Sequence, residues 1–166
     1  RGAFQSLDIF LASFNNRYGE TNSIEDLAFR SQIANYETMR AMYESFAVNK
    51  FNATGVIQWM LNSDLPEMYW QLYDWYLMPN GAFYGAKAAC QPLNLVYNYN
   101  DKAVYLTNEH LDNFKGSAEL KILNIDSKTV FNETYNIEIG ENTSIKVTDF
   151  PKVDGLSKAF FVVLKL

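Results

Sequence analysis

The sequence predicts an α+β protein in which helices fill the first half of the chain and an antiparallel β-sandwich fills the second half. Apolar residues recur at three- and four-residue spacing up to about residue 50, whereas they alternate at two-residue spacing after about residue 90. The composition changes between the same halves, because all three Trp and all five Met lie before residue 80, whereas nine of the ten Lys lie at Lys87 or later. We therefore place a boundary close to Gly85 and expect two parts, residues 1–85 and residues 86–166.

Two long helices are predicted in the first part. An apolar stripe with a period near 3.6 runs over residues 4–18, and Gly19 stands where a left-handed residue would end that helix. Ser23 is a typical N-cap and Asp26 follows three residues later, so a second helix begins there. It can run to about Asn49 without an interrupting Gly or Pro. A helix of that length with a wide apolar face is expected to pack against a large neighbour.

A short strand and a third helix are predicted next. Residues 54–61 form a nearly continuous apolar run that is rich in β-formers, which favours a parallel strand buried on both faces. Asp64 as N-cap and Pro66 in the first turn then predict a helix that ends at residues 79–81. Since a single parallel strand has no neighbours to pair with, we expect this part of the chain to be incomplete by itself.

The second part is expected to form a sandwich of immunoglobulin type. Alternating segments recur about every ten residues and are separated by turn-forming residues such as Asp126 and Gly140. The first two segments flank a turn at Asn100 and Asp101, which predicts a β-hairpin. The six predicted strands cover residues 93–99, 103–107, 118–124, 130–139, 143–147 and 159–166.

Composition and charge exclude several classes of function. With a formal net charge of -5 the chain lacks the cationic surface that nucleic-acid binding needs, so no nucleic-acid partner is expected. No apolar run reaches the ~20 residues needed to cross a bilayer, so no membrane span is expected. One cysteine (Cys90) and one histidine (His110) leave no material for an internal disulfide or a zinc site, and we expect neither a metal nor a cofactor. Ser-His or Cys-His catalysis would depend on His110, which has no recognisable partner motif.

Three segments between residues 53 and 92 resemble one stretch of glycoside hydrolase family 2. They are residues 53–63 (ATGVIQWMLNS), 70–74 (WQLYD) and 81–92 (GAFYGAKAACQP). The likeness is to the exo-β-glucosaminidase and β-mannosidase branch of that family. Residues 97–108 (YNYNDKAVYLTN) resemble the opening hairpin of the sandwich domain found in that branch. The resemblance implies that residues 1–85 are an incomplete C-terminal piece of a (β/α)8 barrel, with its eighth strand and eighth helix. It implies that residues 86–166 are the immunoglobulin-like sandwich that follows the barrel.

The resemblance also implies an activity and a substrate class. The parent protein is expected to hydrolyse a β-linked glucosaminide or mannoside with retention, using two glutamates ~5–5.5 Å apart as acid/base and nucleophile. In the family both glutamates lie on barrel strands that precede this stretch, upstream of Arg1, so the chain itself is expected to be catalytically inert. The chain starts at Arg1 without a methionine, so we expect it to be part of a longer protein. The resemblance to this family favours a periplasmic or secreted location for the parent protein.

Three residues are candidates for contact with substrate. Trp59 lies near the carboxyl end of the expected barrel strand, where such barrels carry their active sites. Its ring could stack on the C–H face of a pyranose, although the position also suits a buried barrel tryptophan. Asn62 and Ser63 follow on the same rim and could either hydrogen-bond substrate hydroxyls or cap a loop. Four other aromatic residues are expected to pack against the barrel or the sandwich, namely Trp70, Tyr73, Trp75 and Tyr76.

A second interpretation remains open, in which the sandwich is a non-catalytic carbohydrate-binding or adhesion module and the helices are its platform. A binding module has no reason to carry the eighth-strand motif, so this motif discriminates between the two. Under the first interpretation we also expect the chain to self-associate. A lone barrel strand and unpaired helix faces would expose apolar side chains, each worth roughly 1.5–3 kcal/mol on burial. The edge of the last predicted strand adds a site for pairing between copies.

Overall fold

The computed structural model describes residues 6–66 and 71–166. These residues form two compact units. The first consists of residues up to Arg40 together with Ile57–Ala88, and the second consists of Ala41–Val56 together with Ala89–Leu166. No helix within the described residues is both long and apolar enough to span a bilayer.

The two helices predicted first are confirmed over the described residues, and residues 4 and 5 of the first prediction lie outside them. α1 covers Ser6–Tyr18 and α2 covers Ile24–Val48. Gly19, just after α1, has a φ of +80°, the left-handed conformation that commonly ends a helix. At the start of α2 the Ser23 hydroxyl accepts a hydrogen bond from Asp26 N–H at 3.1 Å, as an N-cap does.

Polar contacts join α1 to the first half of α2. Glu37 accepts hydrogen bonds from Arg17 Nη2 at 2.8 Å and from the Tyr18 hydroxyl. Arg30 Nη1 donates to the Tyr18 carbonyl at 2.7 Å and pairs with Asp26 through its Nε. Burial raises the pKa of Tyr18 and the neighbouring Glu37 raises it further, so this hydroxyl remains protonated and able to donate. Glu37 is therefore held by an ion pair and a tyrosine.

The strand predicted at residues 54–61 is wrong. These residues form no strand, and in the described part of the chain the segment is followed by an isolated parallel bridge between Asn62 and Tyr73. A strand needs a neighbour that satisfies its N–H and C=O groups. No strand among the described residues lies beside this segment. The apolar, β-forming composition alone therefore does not produce a strand here.

The helix predicted from Asp64 to residue 79 is also wrong over its described residues, and residues 67–70 of it lie outside them. Residues 74–78 form a turn instead. One carboxylate oxygen of Asp74 accepts hydrogen bonds from Tyr76 N–H and Met78 N–H, both at 2.9 Å. Side-chain bonds of this kind compete with the backbone bonds of a helix, which is why Asp favours turns and helix ends over helix interiors.

A helix that was not predicted follows this turn. α3 covers Gly81–Ala89, and its N-cap is Asn80. The Asn80 Oδ1 accepts hydrogen bonds from Ala82 N–H at 2.9 Å and from Phe83 N–H at 3.3 Å. The Pro-Asn-Gly motif at residues 79–81 was expected to end a helix, but it precedes and caps one.

Two glycines of α3 allow this helix to approach α2 very closely. A Cβ atom built on Gly81 would lie closer than 3.0 Å to the Gln32 carbonyl, and one built on Gly85 closer than 3.0 Å to the Tyr36 carbonyl. Real Cβ atoms do not show such separations from backbone atoms. Gly81 and Gly85, four residues apart, therefore lie on one face of α3, and the backbone of α2 packs directly against that face.

Replacing Gly85 by Ala should destabilise the chain by about 1–3 kcal/mol, the usual cost of overpacking. The new methyl group must push α3 away from Tyr36, and this outweighs the ~1 kcal/mol gained in helix propensity. Gly55→Ala is the matched control, because a Cβ there meets no atom within 4 Å. Urea unfolding followed by circular dichroism measures both variants. Equal free energies of unfolding for the two variants would contradict the close-packing argument.

All six strands predicted in the second part are confirmed. Each pairing is antiparallel, and the strands form two three-stranded sheets with the orders β1-β2-β5 and β4-β3-β6. β1 and β2 form the predicted hairpin. The strands are β1 (Leu93–Asn98), β2 (Ala103–Asn108), β3 (Phe114–Asn124), β4 (Thr129–Ile139), β5 (Thr143–Asp149) and β6 (Phe160–Lys165).

The two sheets bury an apolar core between them. The largest buried side chains of this core are Leu106 of β2, Leu120 and Ile122 of β3, and Ile139 of β4. Buried residues alternate with more exposed ones along β3 and at the end of β4, as two-residue alternation predicts, whereas β2 is buried over five of its six residues. The chain therefore has the predicted α+β character, with helices followed by an antiparallel sandwich.

Candidate functional site

Residues 55–65 carry the three candidate substrate contacts. The Trp59 side chain is 71% exposed, and Asn62 is exposed as well. Ser63 is only 3% exposed, and its Oγ accepts a long hydrogen bond of 3.5 Å from Leu65 N–H. The structure therefore presents an aromatic ring and an amide to solvent on one short segment, and it buries the hydroxyl of Ser63.

Backbone hydrogen bonds fix the end of this segment. The Leu61 carbonyl accepts hydrogen bonds from Leu72 N–H and Tyr73 N–H, each at 3.0 Å. The Asn62 Nδ2 donates to the Ser63 carbonyl at 3.2 Å. Within the described residues the Asn62 Oδ1 has no hydrogen-bond donor, so a hydroxyl group of a ligand could donate to it.

The turn at residues 74–78 presents two more aromatic side chains. In addition to the two bonds to its side chain, Asp74 donates its own N–H to the Met78 carbonyl at 3.1 Å, which closes the turn. Tyr76 is 77% exposed and Trp75 is about half exposed. The turn thus holds two large aromatic residues in solvent on a firmly hydrogen-bonded backbone.

The four aromatic residues that were expected to pack against the barrel or the sandwich differ in their contacts and exposure. Tyr73 packs on Phe83, with ring centroids 5.1 Å apart. Trp75 and Tyr76 are exposed, so the packing prediction is wrong for them in this structure. Trp70 lies outside the described residues.

The second unit contains a polar cluster around Lys50 that sequence reasoning missed. Lys50 Nζ pairs with Glu109 Oε1 at 2.6 Å and donates to the Asn108 carbonyl at 3.1 Å and to Asn142 Oδ1 at 3.0 Å. Its side chain is 12% exposed. A nearly buried ammonium group needs such partners, and here three of them stabilise the charge. The cluster joins the turn after α2 to the sandwich.

Asn108 is the centre of a second set of hydrogen bonds at the end of β2. The residue is fully buried. Its Nδ2 donates to the Asp112 carbonyl at 2.8 Å and to the Gly140 carbonyl at 2.9 Å, and its Oδ1 accepts from His110 N–H at 3.0 Å. Both amide protons and the oxygen are thus satisfied, as a buried amide requires. Asn108 fixes the loop that follows β2 against the β4–β5 turn.

An open cavity of about 590 Å³ lies beside Lys50 in the same unit, lined among others by Tyr43, Phe46, Cys90 and Thr107. Burial raises the pKa of the Cys90 thiol, and nearby Glu109 raises it further. The thiol is therefore protonated and a poor nucleophile at neutral pH. No three His, Cys, Asp or Glu side chains of the described residues are grouped so that they could hold a metal ion.

A domain family matches most of the sandwich. Residues 101–166, which include β2 to β6, match the family described as the mannosidase Ig/CBM-like domain. The match spans 66 of the 166 residues. The match does not include the first part of the chain, most of which longer relatives cover.

Curated relatives match almost the whole chain. The exo-β-D-glucosaminidase of Arthroderma benhamiae is 33% identical over an alignment of 160 residues, and the match covers 93% of this chain and 18% of that protein. The exo-β-D-glucosaminidase of Amycolatopsis orientalis is 32% identical over an alignment of 164 residues, and the match covers 95% of this chain and 16% of that protein. The chain therefore spans less than a fifth of the length of these relatives.

Solved structures extend the likeness to the fold. The exo-chitosanase of Amycolatopsis orientalis, in complex with PNP-β-D-glucosamine, gives a TM-score of 0.90 at 32% identity. This match covers 95% of the present chain and 19% of the other. A β-D-mannosidase from Dictyoglomus thermophilum gives a TM-score of 0.81 at 23% identity, which is a likeness of fold alone. These findings confirm the resemblance to the exo-β-glucosaminidase and β-mannosidase branch of glycoside hydrolase family 2.

Proposed function

We propose that the chain acts as part of a retaining, exo-acting β-glycosidase of glycoside hydrolase family 2. The observation that carries this proposal is the 32% identity and TM-score of 0.90 to an exo-chitosanase over 95% of the chain. The likeness includes the helices and residues 53–63 as well as the sandwich. It therefore favours the enzyme over a free-standing carbohydrate-binding or adhesion module, which has no use for the first part.

In this proposal residues 1–85 are the C-terminal piece of a (β/α)8 barrel and residues 86–166 are the immunoglobulin-like domain that follows it in the sequence. An eighth barrel strand forms its hydrogen bonds with two neighbouring barrel strands, and the described residues include neither. The lack of a strand at residues 54–61 is therefore consistent with an incomplete barrel. The close packing of α3 on α2 supports this assignment too. Two adjacent helices of the outer ring would lie side by side in this way.

Hydrolysis itself needs two carboxyl groups that this chain is not proposed to supply. One protonates the leaving oxygen, and the other attacks the anomeric carbon to form a glycosyl-enzyme, which water then cleaves. The chain would contribute one side of the substrate site. The ring of Trp59 would stack on the C–H face of the pyranose, and Asn62 Oδ1 would accept a hydrogen bond from a sugar hydroxyl. Ser63, being buried, would hold the segment in place beneath them.

The substrate of the full-length protein is proposed to be a β-linked glucosaminide or mannoside. The test is steady-state hydrolysis of aryl β-D-glucosaminide and aryl β-D-mannoside by the full-length protein that carries this segment. We expect turnover of at least one of them, with the β-anomer of the sugar released first. Release of the α-anomer, or turnover of neither glycoside by a folded protein, would contradict the proposal.

We also propose that the isolated chain self-associates. Several large apolar side chains of the first unit are exposed, among them Ile57, Leu61, Leu77 and Met78. Burying each would contribute roughly 1.5–3 kcal/mol. Light scattering across a concentration series should show a mean mass that rises above the 19.1 kDa of one chain. A constant monomer mass at all concentrations would contradict self-association.

A further inference from the structure

The turn between β1 and β2 carries an exposed tyrosine, Tyr99, whose ring is the first of four aromatic rings in successive contact. Tyr99 is 60% exposed, and its ring meets Tyr97 edge-on with centroids 5.2 Å apart. Tyr97 in turn contacts Phe150 at 5.5 Å, and Phe150 contacts Phe160 at 5.6 Å. The first two of these pairs are edge-to-face, a geometry worth about 0.5–1.5 kcal/mol per pair beyond the area buried, and the third is tilted. The Tyr99 ring is thereby supported from the core of the sandwich.

The backbone of the same turn is also fixed. Asn98 Oδ1 accepts a hydrogen bond from Asn100 N–H at 3.2 Å, which is an Asx turn. The Lys102 carbonyl accepts from Phe150 N–H at 2.8 Å, so the turn is tied to the segment that follows β5. An aromatic side chain on such a backbone loses little conformational entropy when a ligand covers it.

A carboxylate with one unused oxygen lies in this turn, two residues after Tyr99. Asp101 Oδ2 accepts from the Tyr105 hydroxyl at 2.7 Å and lies 3.8 Å from Lys146 Nζ, which also pairs with Asp149. Within the described residues Asp101 Oδ1 has no hydrogen-bond partner. The bonds to Oδ2 therefore orient the carboxylate and leave Oδ1 available as an acceptor.

We propose that this turn is a saccharide-binding site, separate from Trp59, in which Tyr99 stacks on one face of a pyranose ring and Asp101 accepts a hydrogen bond from it. The C–H groups on a pyranose face carry small positive charges and suit the negative face of an aromatic ring. The free acceptor of Asp101 suits a hydroxyl or, better, a protonated amino group, since a charge-assisted hydrogen bond is about twice as strong as a neutral one. The ligand class is a β-linked oligomer of glucosamine, and this choice of sugar rests on the proposed function.

The site is tested with the 166-residue chain and a β-1,4-linked glucosamine tetramer, followed by saturation-transfer NMR and titration. Tyr99→Ala should weaken binding roughly tenfold, whereas Tyr99→Phe, which keeps the ring, should bind as the wild type does. Phe161→Ala, at an exposed aromatic residue of the other sheet, is the matched control and should leave the dissociation constant unchanged. Circular dichroism verifies that each variant is folded.

Two further variants separate this site from Trp59 and identify the sugar. The Trp59→Ala chain should retain the Tyr99-dependent binding, whatever the activity of the full-length protein proves to be. Asp101→Asn should weaken binding of the glucosamine tetramer but not of a neutral glucose tetramer. The site is disproved if the wild type binds no tetramer, or if Tyr99→Ala binds as tightly as Phe161→Ala. An unchanged affinity of Asp101→Asn for the glucosamine tetramer would overturn the assignment to amino sugars.

Discussion

The isolated 166-residue chain is expected to leave both an aryl β-D-glucosaminide and an aryl β-D-mannoside unhydrolysed. A retaining glycosidase needs two carboxyl groups about 5–5.5 Å apart on either side of the scissile bond. Several glutamates of the chain are engaged in other contacts: Glu37 binds Arg17 and Tyr18, and Glu109 binds Lys50. Glu44 is buried on α2. The chromogenic release of aryl alcohol by the purified chain measures this directly.

The full-length protein is assayed in parallel at the same molar concentration and pH, and it is expected to hydrolyse at least one of the two glycosides. Turnover by the isolated chain would count against the account if it coeluted with the chain through two chromatographic steps. It would also have to disappear when one of the chain's own carboxylates is replaced by its amide. Activity that does not follow the chain would come from a contaminating glycosidase.

In the full-length protein, Trp59→Ala should lower kcat/KM for the aryl glycoside by about tenfold to a hundredfold, which corresponds to about 1.4–2.7 kcal/mol. The proposed stacking partner is the reacting sugar itself. Its ring flattens and gains positive charge in the transition state, so the electron-rich indole should bind that state better than the ground state. The loss should therefore appear in kcat as well as in KM.

Trp75→Ala is the matched control, because it removes a second, partly exposed Trp from the turn that adjoins the Trp59 segment. It should change kcat/KM by less than about twofold at equal folded fraction. Trp59→Phe, which keeps an aromatic face, should recover most of the activity. If the two alanine variants lose activity equally, or if Trp59→Ala changes only the thermal stability, Trp59 has a structural role.

The sandwich could be predicted strand by strand because its signals are local. Two-residue alternation and turn residues specify which side chains face the core, and each strand of β1 to β6 finds its partner within this chain. The signals for α1 and α2 are local as well. The left-handed backbone of Gly19 ends α1, and the Ser23 side chain caps the start of α2.

Residues 54–79 could not be predicted in the same way. An apolar run forms a strand only beside other strands, and none of the described residues supplies one. Aspartate is common both at helix N-caps and in turns, so the residue type of Asp64 and Asp74 fits either structure. Only Asp74 was found to organise a turn, because both Tyr76 N–H and Met78 N–H come within reach of its carboxylate. Asn80 was misread for the same reason, since Asn suits both the end and the start of a helix.

The sequence indicated that residues 55–65 carry the candidate site, but it did not indicate which of their side chains are exposed. Trp59 and Asn62 are accessible, whereas Ser63 is buried. The Lys50 cluster had no sequence signal, because its partners Asn108 and Asn142 are 58 and 92 residues away along the chain. Contacts over such separations appear only once the chain is folded.

The most direct test of the central claim, that this chain can serve as part of an exo-β-glycosidase, is a segment exchange. The matching segment of the Amycolatopsis orientalis exo-β-D-glucosaminidase, 16% of that protein, is replaced by this chain, and hydrolysis of PNP-β-D-glucosamine is measured. We predict a folded chimera that hydrolyses the substrate and loses that activity with Trp59→Ala. A chimera that unfolds cooperatively, like the parent enzyme, but hydrolyses nothing would contradict the account.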